Sequence, residues 1–461
     1  MKITGNNIVL IIAVALIIQA CTSSHFREEV QITSDYSYHH DMDNNDNFSP
    51  DDQWLVYDTR DPKTGIGACS TIEKVNIETG ATDVLYHIPN NHLWGPGVGA
   101  VSYSHTQNMV IFIHGLLGIT EAYPYQQWRR TGVIVEDSIP GVPVFMDARD
   151  VTFPFTEGSL RGGTHRHEWR RDGQWIGYTY NDAIMKALED STKEKWNLRT
   201  IGVSKKMQPV RVDYEATGEN VGGTWYSVLV VRVVPNPRPG SDEISHASSD
   251  SWVGTRGYQR PDQSWQTARA FLGKVKDKDG KDVEEVFVVD IPDRIDVSGE
   301  YGPLEGTKTT FPMPPKGTVQ RRLTYTANSD YPGCEGVTRS SADGQWIAYQ
   351  ARDKKGVKQV FLIDPKGGEF LQLTSHISDV QSGVRWNPNG KQVCYVWDNC
   401  IVVCDVRDGG FTSRYKRLTI PADPPPTNLV WSHKGKMIAY NREITEAGGS
   451  KATKQIFIIE L

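Results

Sequence analysis

Residues 169–178 read WRRDGQWIGY, two strand-like runs joined across an Asp-Gly turn. A turn of this kind between runs of alternating apolar residues indicates a β-hairpin. Related segments recur along the chain: FSPDDQWLVY (48–57), YSHTQNMVIF (103–112, without the glycine), SSADGQWIAY (340–349), WNPNGKQVCY (386–395) and WSHKGKMIAY (431–440). The last three copies are separated by steps of about 40 to 50 residues, a spacing typical of propeller blades.

These copies, with a more divergent one at residues 224–234 (TWYSVLVVRVV), predict an all-β fold: a seven-bladed β-propeller with WD40-like repeats. Residues 182–196 give the best helical pattern in the chain. The C-terminal KQIFIIEL is expected to close the ring by pairing with a strand near VQITSD, because propellers must hide their sheet edges. Large insertions are expected between blades two and three and between blades four and five.

The N-terminal residues 1–20 have the architecture of a signal peptide, with an apolar run too short for a comfortable membrane span. The IQAC that ends at Cys21 resembles the lipobox of bacterial lipoproteins, which implies a lipidated, palmitate-bearing cysteine. We therefore expect a signal peptide at 1–20, a polar tether at 21–40 and the propeller at 41–461. The lipid would anchor the protein in a bacterial membrane, with the outer membrane favoured. A plain secretory signal is the alternative.

The composition allows a large core and excludes some partners. Of the 461 residues 38% are hydrophobic, with 13 Trp and 19 Tyr, which excludes disorder for most of the chain. The formal net charge of -6 argues against nucleic acid as a partner. Several arginines nevertheless crowd one region, where they could hold an anionic ligand: Arg129, Arg130, Arg149, Arg161, Arg166, Arg170 and Arg171. The cysteines beyond Cys21 follow no CxxC spacing, so no disulfide framework is expected, and Cys394 and Cys404 are expected to be buried thiols.

The propeller repeat also predicts which segments meet at one end of the channel. In such a blade the start of the first strand and the end of the second strand lie at the same face of the disc. This places residues 162–167 beside residues 180–182 and, one blade earlier, residues 90–100 beside residues 112–115. The polar segment RGGTHRHEWRRDGQWIGYTYND would thus form the rim of a funnel.

Histidines and tyrosines are the candidate proton-transfer groups at this rim. His92, His114 and Tyr180 are expected there, whereas Tyr178 occupies a repeat position and is expected in the core. His165 and His167, two apart on a strand, are expected to point the same way. They could form a metal-binding or catalytic pair, or a hydrogen-bonded structural pair, and no third zinc ligand is fixed by the spacing.

The residue types at this rim favour one kind of chemistry. The chain has no GxSxG elbow and no phosphate-binding glycine loop. A His, Tyr and Arg cluster without an obvious carboxylate pair suits β-elimination from a uronic acid better than glycoside hydrolysis, which usually needs two carboxylates. Elimination needs a base, an acid and a cation that stabilises the enolate-like intermediate. The leaving group would be another sugar, as in a polysaccharide lyase, or water, as in a dehydratase.

Two resemblances bear on this chemistry. The repeats are similar to the TolB-type propeller repeat, and LRGGTHRHEW, YTYND, NPRPGSDEI and GTVQRRLT resemble a YidR-like (DUF3748-type) family of bacterial propellers over most of the chain after residue 45. GPGVGAVSYS, VIFIHGL and the MDARD of residues 146–150 also resemble seven-bladed propeller lyases that cleave ulvan, a sulfated algal polysaccharide containing uronate. The second resemblance implies that two histidines and a tyrosine carry the elimination, mapped here onto His92, His114 and Tyr180. It also implies an arginine at the carboxylate and a structural zinc.

The leading hypothesis is a carbon–oxygen lyase that performs β-elimination on uronate-containing, ulvan-like sulfated oligo- or polysaccharide. Its expected catalytic residues are His92, His114 and Tyr180, and no cofactor is required. The residues expected to bind the anionic carbohydrate are Arg129, Arg149, Arg161, Asn181 and Trp94, and a structural zinc would use His165 and His167. One alternative is a non-catalytic TolB-like propeller that binds glycan or protein. Another is a hydrolase that uses Asp150 or Asp182.

Overall fold

The computed structural model describes residues 26–213, 215, 217–406 and 414–461. Over these ranges the chain forms a seven-bladed β-propeller, as the repeats predicted. Most blades are built from consecutive strands, and the last blade takes its outermost strand from the N-terminal side of the chain. Residues from all seven blades line one axial channel.

The strands are numbered in chain order, with β1 at Glu29–Gln31. Blade one contains β2 Trp54–Asp58, β3 Thr71–Asn76 and β4 Thr82–His87. Blade two contains β5 Val98–Tyr103, β6 Met109–Gly115, β7 Arg130–Glu136 and β8 Val144–Phe145. Blade three contains β9 Gly162–Trp169, β10 Trp175–Asp182, β11 Arg199–Lys205 and β12 Tyr226–Leu229. Blade four contains β13 Ala247–Trp252, β16 Ala268–Lys276, β17 Asp282–Asp290 and β18 Val319–Arg322, with a separate hairpin of β14 Tyr258–Gln259 and β15 Trp265–Gln266. Blade five contains β19 Cys334–Ser340, β20 Ile347–Arg352, β21 Lys358–Ile363 and β22 Leu371–Gln372. Blade six contains β23 Arg385–Trp386, β24 Gln392–Trp397, β25 Cys400–Asp405 and β26 Tyr415–Arg417. Blade seven contains β27 Thr427–Trp431, β28 Met437–Thr445 and β29 Ala452–Glu460.

The fourth blade differs from its sequence prediction. Residues 224–234 do not form a blade of their own, because β12 within them is the outermost strand of blade three and pairs with β11. The true fourth blade begins at β13. Its first two strands are joined by residues 253–267, which carry the β14–β15 hairpin, instead of by a tight turn. The hairpin signature is therefore absent from the sequence at this blade.

The insertions match the expectation only in part. Residues 146–161 form the expected long connection between blades two and three. The other long segment, residues 291–318, lies inside blade four, between β17 and β18, and not between blades four and five. This segment reaches blade three, where backbone carbonyls of Thr307 and Thr310 accept hydrogen bonds from the Arg161 guanidinium.

The repeat tryptophans fasten neighbouring blades to each other. Three indole N–H groups donate to a backbone carbonyl of the innermost strand of the preceding blade: Trp252 to Glu168 (3.0 Å), Trp386 to Arg339 (2.9 Å) and Trp431 to Arg385 (3.1 Å). A buried indole N–H usually has such a partner, although that of Trp169 has none among the described residues. At blades four, six and seven the tryptophan therefore marks an inter-blade bond around the channel.

The innermost strands also share a β-bulge. Register shifts interrupt the pairing of the first two strands in several blades, and a residue with positive φ stands in the first strand: Ala100, Arg166, Ser249, Gly336 and Asn428. A bulge leaves one extra residue unpaired and changes which face the flanking side chains occupy. It therefore decides which residues of these strands reach the channel.

The ring closes as predicted, through strands from the two ends of the described chain. Glu29 pairs with Ile459 and Gln31 with Phe457, so β1 covers the outer edge of β29. The Glu29 carboxylate accepts a hydrogen bond from the Tyr440 phenol (2.5 Å) and pairs with Arg442 at 2.8 Å. The expected boundary between tether and propeller at residue 41 is thus too late, because β1 already belongs to blade seven. The predicted signal peptide and Cys21 lie outside the described residues.

The remaining expectations on the scaffold are confirmed. The predicted helical segment contains α1, Ala183–Thr192, whose first turn is capped by the Asp182 carboxylate accepting from the Met185 N–H. Tyr178 is fully buried between blades two and three. All five cysteines after Cys21 are buried, and no disulfide joins them in the part of the chain that the structure describes: Cys69, Cys334, Cys394, Cys400 and Cys404. No helix in the described part of the chain is long and apolar enough to cross a membrane.

Candidate anion-binding site at the channel mouth

The mouth of the channel is built where β9 begins and β10 ends. Asp182 pairs with Gly162 and Asn181 with Gly163, the proximity that the repeat predicted. Both glycines are required by close backbone approach. A Cβ at Gly162 would lie 2.0 Å from the Asn181 carbonyl oxygen, and one at Gly163 would lie 2.2 Å from that of Gln127. The Gly-Gly pair thus lets blade two pack directly against this end of blade three.

His165 is the central imidazole of this mouth. Its Nε2 is hydrogen-bonded to the Thr179 hydroxyl, and this is the only hydrogen bond that the ring makes to the described residues. Burial, followed by the positive charges of Arg130 and Arg199 and then of Arg166, holds the pKa of His165 well below its usual value. The ring is therefore neutral at physiological pH and keeps one nitrogen available to a ligand.

Arg130 and Arg199 approach the mouth from β7 and β11. The Nη1 of Arg130 donates to the Tyr125 phenol oxygen at 2.7 Å. Arg199 donates from Nε to the Asn181 amide oxygen (3.3 Å) and from Nη2 to the Gln127 amide oxygen (3.1 Å). Burial and the repulsion from neighbouring arginines lower the pKa of Arg199 to about 10. Neutral hydrogen-bond acceptors position both guanidiniums without neutralising their charge.

Arg166 completes the group from the bulge of β9. Its backbone is left-handed, with φ 55°, which is costly for a residue that carries a Cβ. Among the described residues its side chain makes no hydrogen bond, and no carboxylate lies within 4 Å of Arg130, Arg166 or Arg199. Partly buried cations without anions favour an external anionic ligand, and guanidinium is suited to bidentate binding of carboxylate or sulfate. We call these three arginines and His165 the arginine mouth.

The arginines selected from the sequence have other partners. Arg129 and Arg149 share the Glu219 carboxylate, at 2.5 Å and 3.0 Å, and Arg149 is fully buried. Arg161 is also fully buried and pairs with Asp182 at 2.9 Å. These three side chains hold the connecting loops of blades two to four together. The structure thus corrects the expected rim positions of these three arginines, since each already has a carboxylate partner inside the protein.

His114 lies in the core and not at the rim. Its Nε2 is hydrogen-bonded to the Tyr86 phenol (3.0 Å) and its Nδ1 to the Gly115 carbonyl oxygen (2.5 Å). The ring is fully buried and also contacts Phe145. Burial lowers its pKa to about 4. The expected rim position is therefore corrected: β6 directs this histidine to the packing between blades one and two.

Tyr180 and the two aspartates of the hydrolase alternative are also engaged internally. The Tyr180 phenol is fully buried, donates to Asp182 at 3.0 Å and accepts from the Arg161 N–H. The Asp182 carboxylate caps α1 and pairs with Arg161, and the Asp150 carboxylate accepts from the Thr156 N–H and hydroxyl. Tyr180 is therefore not at the rim, and the structure does not place the two carboxylates around an open cleft.

Three other predicted residues do lie near the mouth. His92 is exposed and its ring stacks on Trp94, with centroids 4.7 Å apart, in the loop before β5. The Trp94 carbonyl accepts from the Tyr125 N–H, so this loop continues to the arginine mouth. Asn181 positions Arg199, as described above. Their predicted roles in catalysis and substrate binding remain predictions.

Comparisons with known proteins identify the family. The chain is 38% identical over 409 residues to the "Uncharacterized protein YidR" of Escherichia coli (strain K12), covering 87% of this chain and 92% of that protein. The chain belongs to the YidR family. Residues 97–219 also match the family model described as "Protein of unknown function (DUF3748)". That match spans blade two and most of blade three, which build the arginine mouth.

Among solved structures, this YidR-family chain is similar to an oligogalacturonate lyase in complex with manganese, at 13% identity with a TM-score of 0.52, covering 94% of this chain and 93% of that chain. It is also similar to an oligogalacturonate lyase from Vibrio parahaemolyticus, at 12% identity with a TM-score of 0.49 and coverage of 95% and 94%. At such identities the first similarity shows a shared propeller fold and no more.

The manganese in the first of those structures raises the question of whether the YidR-family mouth fits a metal. The bulge at Arg166 places His165 and His167 on opposite faces of blade three: His165 contacts Thr179, whereas His167 contacts Tyr178 and hydrogen-bonds the Thr164 hydroxyl at 2.9 Å. This corrects the expectation that the two rings point the same way. Three arginines around His165 would also repel a divalent cation. Within the described ranges no three His, Cys, Asp or Glu side chains converge as a metal site, so we derive no step through a metal.

Sequence reasoning missed Arg199 and did not single out Arg130 or Arg166. Arg199 follows α1 and the loop after it, far in sequence from the other arginines, and only the strand pairing of β10 with β11 brings it to Asn181. Arg130 and Arg166 were in the recognised arginine cluster. Nothing in their spacing shows that they, and not Arg129 or Arg161, have no carboxylate partner.

Proposed function

We propose that this protein is a carbon–oxygen lyase that performs β-elimination on short uronate-containing oligosaccharides at the arginine mouth. The observation that carries the proposal is the set of three guanidiniums without carboxylate partners around a neutral histidine with one free ring nitrogen. Both a uronate carboxylate and a sulfate ester would meet this charge. A sulfated, ulvan-like substrate is the finer form of the proposal.

The arginines would bind the substrate and stabilise the charge that develops on it. Arg130 and Arg199 are preorganised by Tyr125, Asn181 and Gln127, so little reorganisation is needed when a carboxylate binds. Loss of the proton next to the carboxylate spreads negative charge onto the carboxylate oxygens, where the guanidiniums act most strongly. Bidentate contact also fixes the orientation of the sugar ring.

His165 would act as the base. Its Nδ1 takes the C5 proton, the C4–O bond breaks as the C4–C5 double bond forms, and a proton is delivered to the departing oxygen. The pKa of His165 is depressed partly by the arginines, so a bound carboxylate that offsets their charge raises its basicity when substrate is present. The Tyr125 phenol, held by Arg130, is the proton donor that the mouth offers. The departing group is a sugar in chain cleavage and water in a dehydratase.

The shared fold supports this reaction class, since a similar propeller carries the name oligogalacturonate lyase. A non-catalytic propeller that binds an anionic glycan or an acidic protein is the second candidate. The same unpaired arginines favour it, because anion binding does not require His165 to transfer a proton. The two candidates differ in whether the bound sugar is converted.

The test is ultraviolet absorbance of unsaturated uronate during incubation with uronate polysaccharides, sulfated and unsulfated, and with their oligosaccharides. Mass spectrometry then separates chain cleavage from loss of water. We expect product with at least one oligosaccharide, abolished in His165→Gln and retained in the control His87→Gln, which alters an exposed histidine of β4. Parallel assays with a chelator and with added Mn²⁺ test for metal dependence. Binding without any product would overturn the lyase and favour the binding propeller.

We also propose that the protein is lipid-anchored through Cys21 in a bacterial membrane, with the outer membrane favoured, and that an anionic carbohydrate is its partner. The lipobox-like IQAC supports the anchor, and the arginine mouth supports the carbohydrate. Metabolic labelling with a fatty acid tests the anchor. We expect label in the native chain and none in Cys21→Ser, and an unlabelled native chain would contradict the lipoprotein assignment.

A further inference from the structure

Below the arginine mouth the channel contains a polar cavity. It has a volume of about 140 Å³ and is lined by all seven blades. Three repeat tryptophans, Trp252, Trp386 and Trp431, line it and bond its walls together. A cavity of this size accommodates a small ion with water.

The charges around this cavity do not balance. Glu168 and Asp250 both pair with Arg269, and Glu168 also lies 3.7 Å from Arg339, so these two carboxylates are matched by two guanidiniums. Asp46 lies 3.2 Å from His105, a contact that is an ion pair only when His105 is protonated, so its carboxylate offsets at most one of the two other guanidiniums that line the cavity, those of Arg171 and Arg385. Arg385 is left without a carboxylate within 4 Å in the described part of the chain, and donates only to backbone carbonyls such as that of Leu429 (2.9 Å).

Two buried donors beside Arg385 also have no acceptor. The Ser251 hydroxyl and the Nε of Arg339 line the same cavity and form no hydrogen bond within the described protein. Both residues are more than nine-tenths buried. A buried polar group without a partner costs roughly 1–3 kcal/mol, and more when it is charged, so such groups are normally satisfied by water or an ion.

We propose that the axial cavity binds a small monoanion of halide size, held by Arg385, Arg339 and Ser251. Water alone satisfies the donors but leaves the positive charges of Arg171 and Arg385 together in excess over the single carboxylate of Asp46, which is the more costly defect. A bound cation would add to the surplus of positive charge. The repulsion already present fits this view: burial, Arg339 and Arg166 together lower the pKa of Arg385 to about 9.

The anion would have a structural consequence for the arginine mouth. Arg166 links the two sites electrostatically, since its positive charge contributes to the lowered pKa of both Arg199 at the mouth and Arg385 in the cavity. A monoanion beneath it would reduce the mutual repulsion of the axial arginines and so allow them to remain charged. The inference concerns a separate site and does not rest on the lyase activity.

Two measurements on the full chain test the site. Crystals grown in bromide should show an anomalous scattering peak in the cavity beside Arg385. In solution, chloride or bromide should raise the melting temperature of the wild type by about 3 °C at a hundredfold excess over Kd, compared with gluconate at equal ionic strength. Gluconate, an anion much larger than chloride or bromide, serves as the ionic-strength control.

The variant Arg385→Gln should lose this halide-dependent rise, whereas Arg238→Gln, whose side chain is 78% exposed, should keep it. A cavity that contains only water in the bromide crystals would overturn the proposal. An equal halide effect in the wild type and in Arg385→Gln would also overturn it. The crystallographic test uses the wild type alone and so does not depend on whether Arg385→Gln folds.

Discussion

At the residue scale, the partners of each arginine decide its role. Arg129, Arg149 and Arg161 are matched by Glu219 or Asp182 and hold loops together. Arg130 and Arg199 are oriented by neutral acceptors and keep their charge for a ligand. The chemistry of the mouth therefore follows from which guanidiniums are left without a carboxylate, a property that only the three-dimensional structure reveals.

Buried histidines make the stability of the protein depend on pH. Burial lowers the folded-state pKa of His114 to about 4, whereas the unfolded chain retains a value near 6.5. Below that value the unfolded state takes up the proton first, so stability is lost as pH falls from about 6.5 towards 4, by on the order of 3 kcal/mol from this residue. His40 and His376, also lowered to about 4, add to the same slope.

The variant His114→Phe should therefore flatten the pH dependence of unfolding between pH 6.5 and 4.5 by about one proton, even though loss of the Tyr86 hydrogen bond lowers stability overall. Urea unfolding at several pH values measures this slope. If the fold is retained, any lyase activity should also be retained. An unchanged slope, or complete loss of activity in a folded variant, would contradict a structural role and support the sequence-based assignment of His114 as catalytic.

At the element scale, the recurring bulge of the innermost strands selects the residues of the channel. In β9 the bulge turns Arg166 into a left-handed conformation and places His165 and His167 on opposite faces. The left-handed backbone at Arg166 is strained, and it allows the guanidinium to point towards the channel axis. Strain held at a single residue in this way is typical of functional sites.

Two substitutions at Arg166 separate the backbone from the side chain. Arg166→Gly and Arg166→Ala should lower kcat/KM to a similar extent, because both variants lose the same guanidinium charge. Arg166→Gly should be more stable than Arg166→Ala by about 1 kcal/mol, since glycine adopts positive φ without penalty. Thermal unfolding and initial rates measure the two effects. Equal stabilities would show that the bulge relaxes and is not held by the strands around it.

At the scale of the whole molecule, blade seven closes the ring with β1, and cooperative stability should depend on this strand. A chain that begins at Thr33 lacks β1, so the edge of β29 is exposed. The Tyr440 phenol also loses the Glu29 carboxylate that accepts its hydrogen bond. We expect it to be less stable by about 2–4 kcal/mol than a chain that begins at Phe26, which keeps β1. Urea unfolding of the two truncated chains measures the difference. Identical midpoints would contradict closure by β1.

How much of the molecule could be predicted from the sequence depended on the range of the interactions involved. Local patterns in the sequence were sufficient for the scaffold. Hairpins with Asp-Gly, Asn-Gly or Lys-Gly turns predicted the propeller, the pattern of residues 182–196 predicted α1, and the apolar C-terminal segment predicted the closing strand. Blade four escaped because its first hairpin is interrupted by β14–β15. The proximity of the start of β9 to the end of β10 was predicted from the repeat, but the arginines without carboxylate partners there are not the ones selected from the sequence. A bulge and the choice of ion-pair partners, neither visible as a spacing, determine which side chains reach the channel.

We propose that the arginines of the mouth, which have no carboxylate partners, stabilise the transition state of an elimination. The most direct measurement is kcat/KM for formation of unsaturated uronate by the wild type, by Arg199→Gln and by the exposed control Arg238→Gln. We expect a loss of about 100-fold in Arg199→Gln, of the size seen when one charge-stabilising donor is removed, with unchanged melting temperature and an unaffected control. Wild-type activity that Arg199→Gln retains in full, or no elimination by the wild type on any uronate, would contradict it.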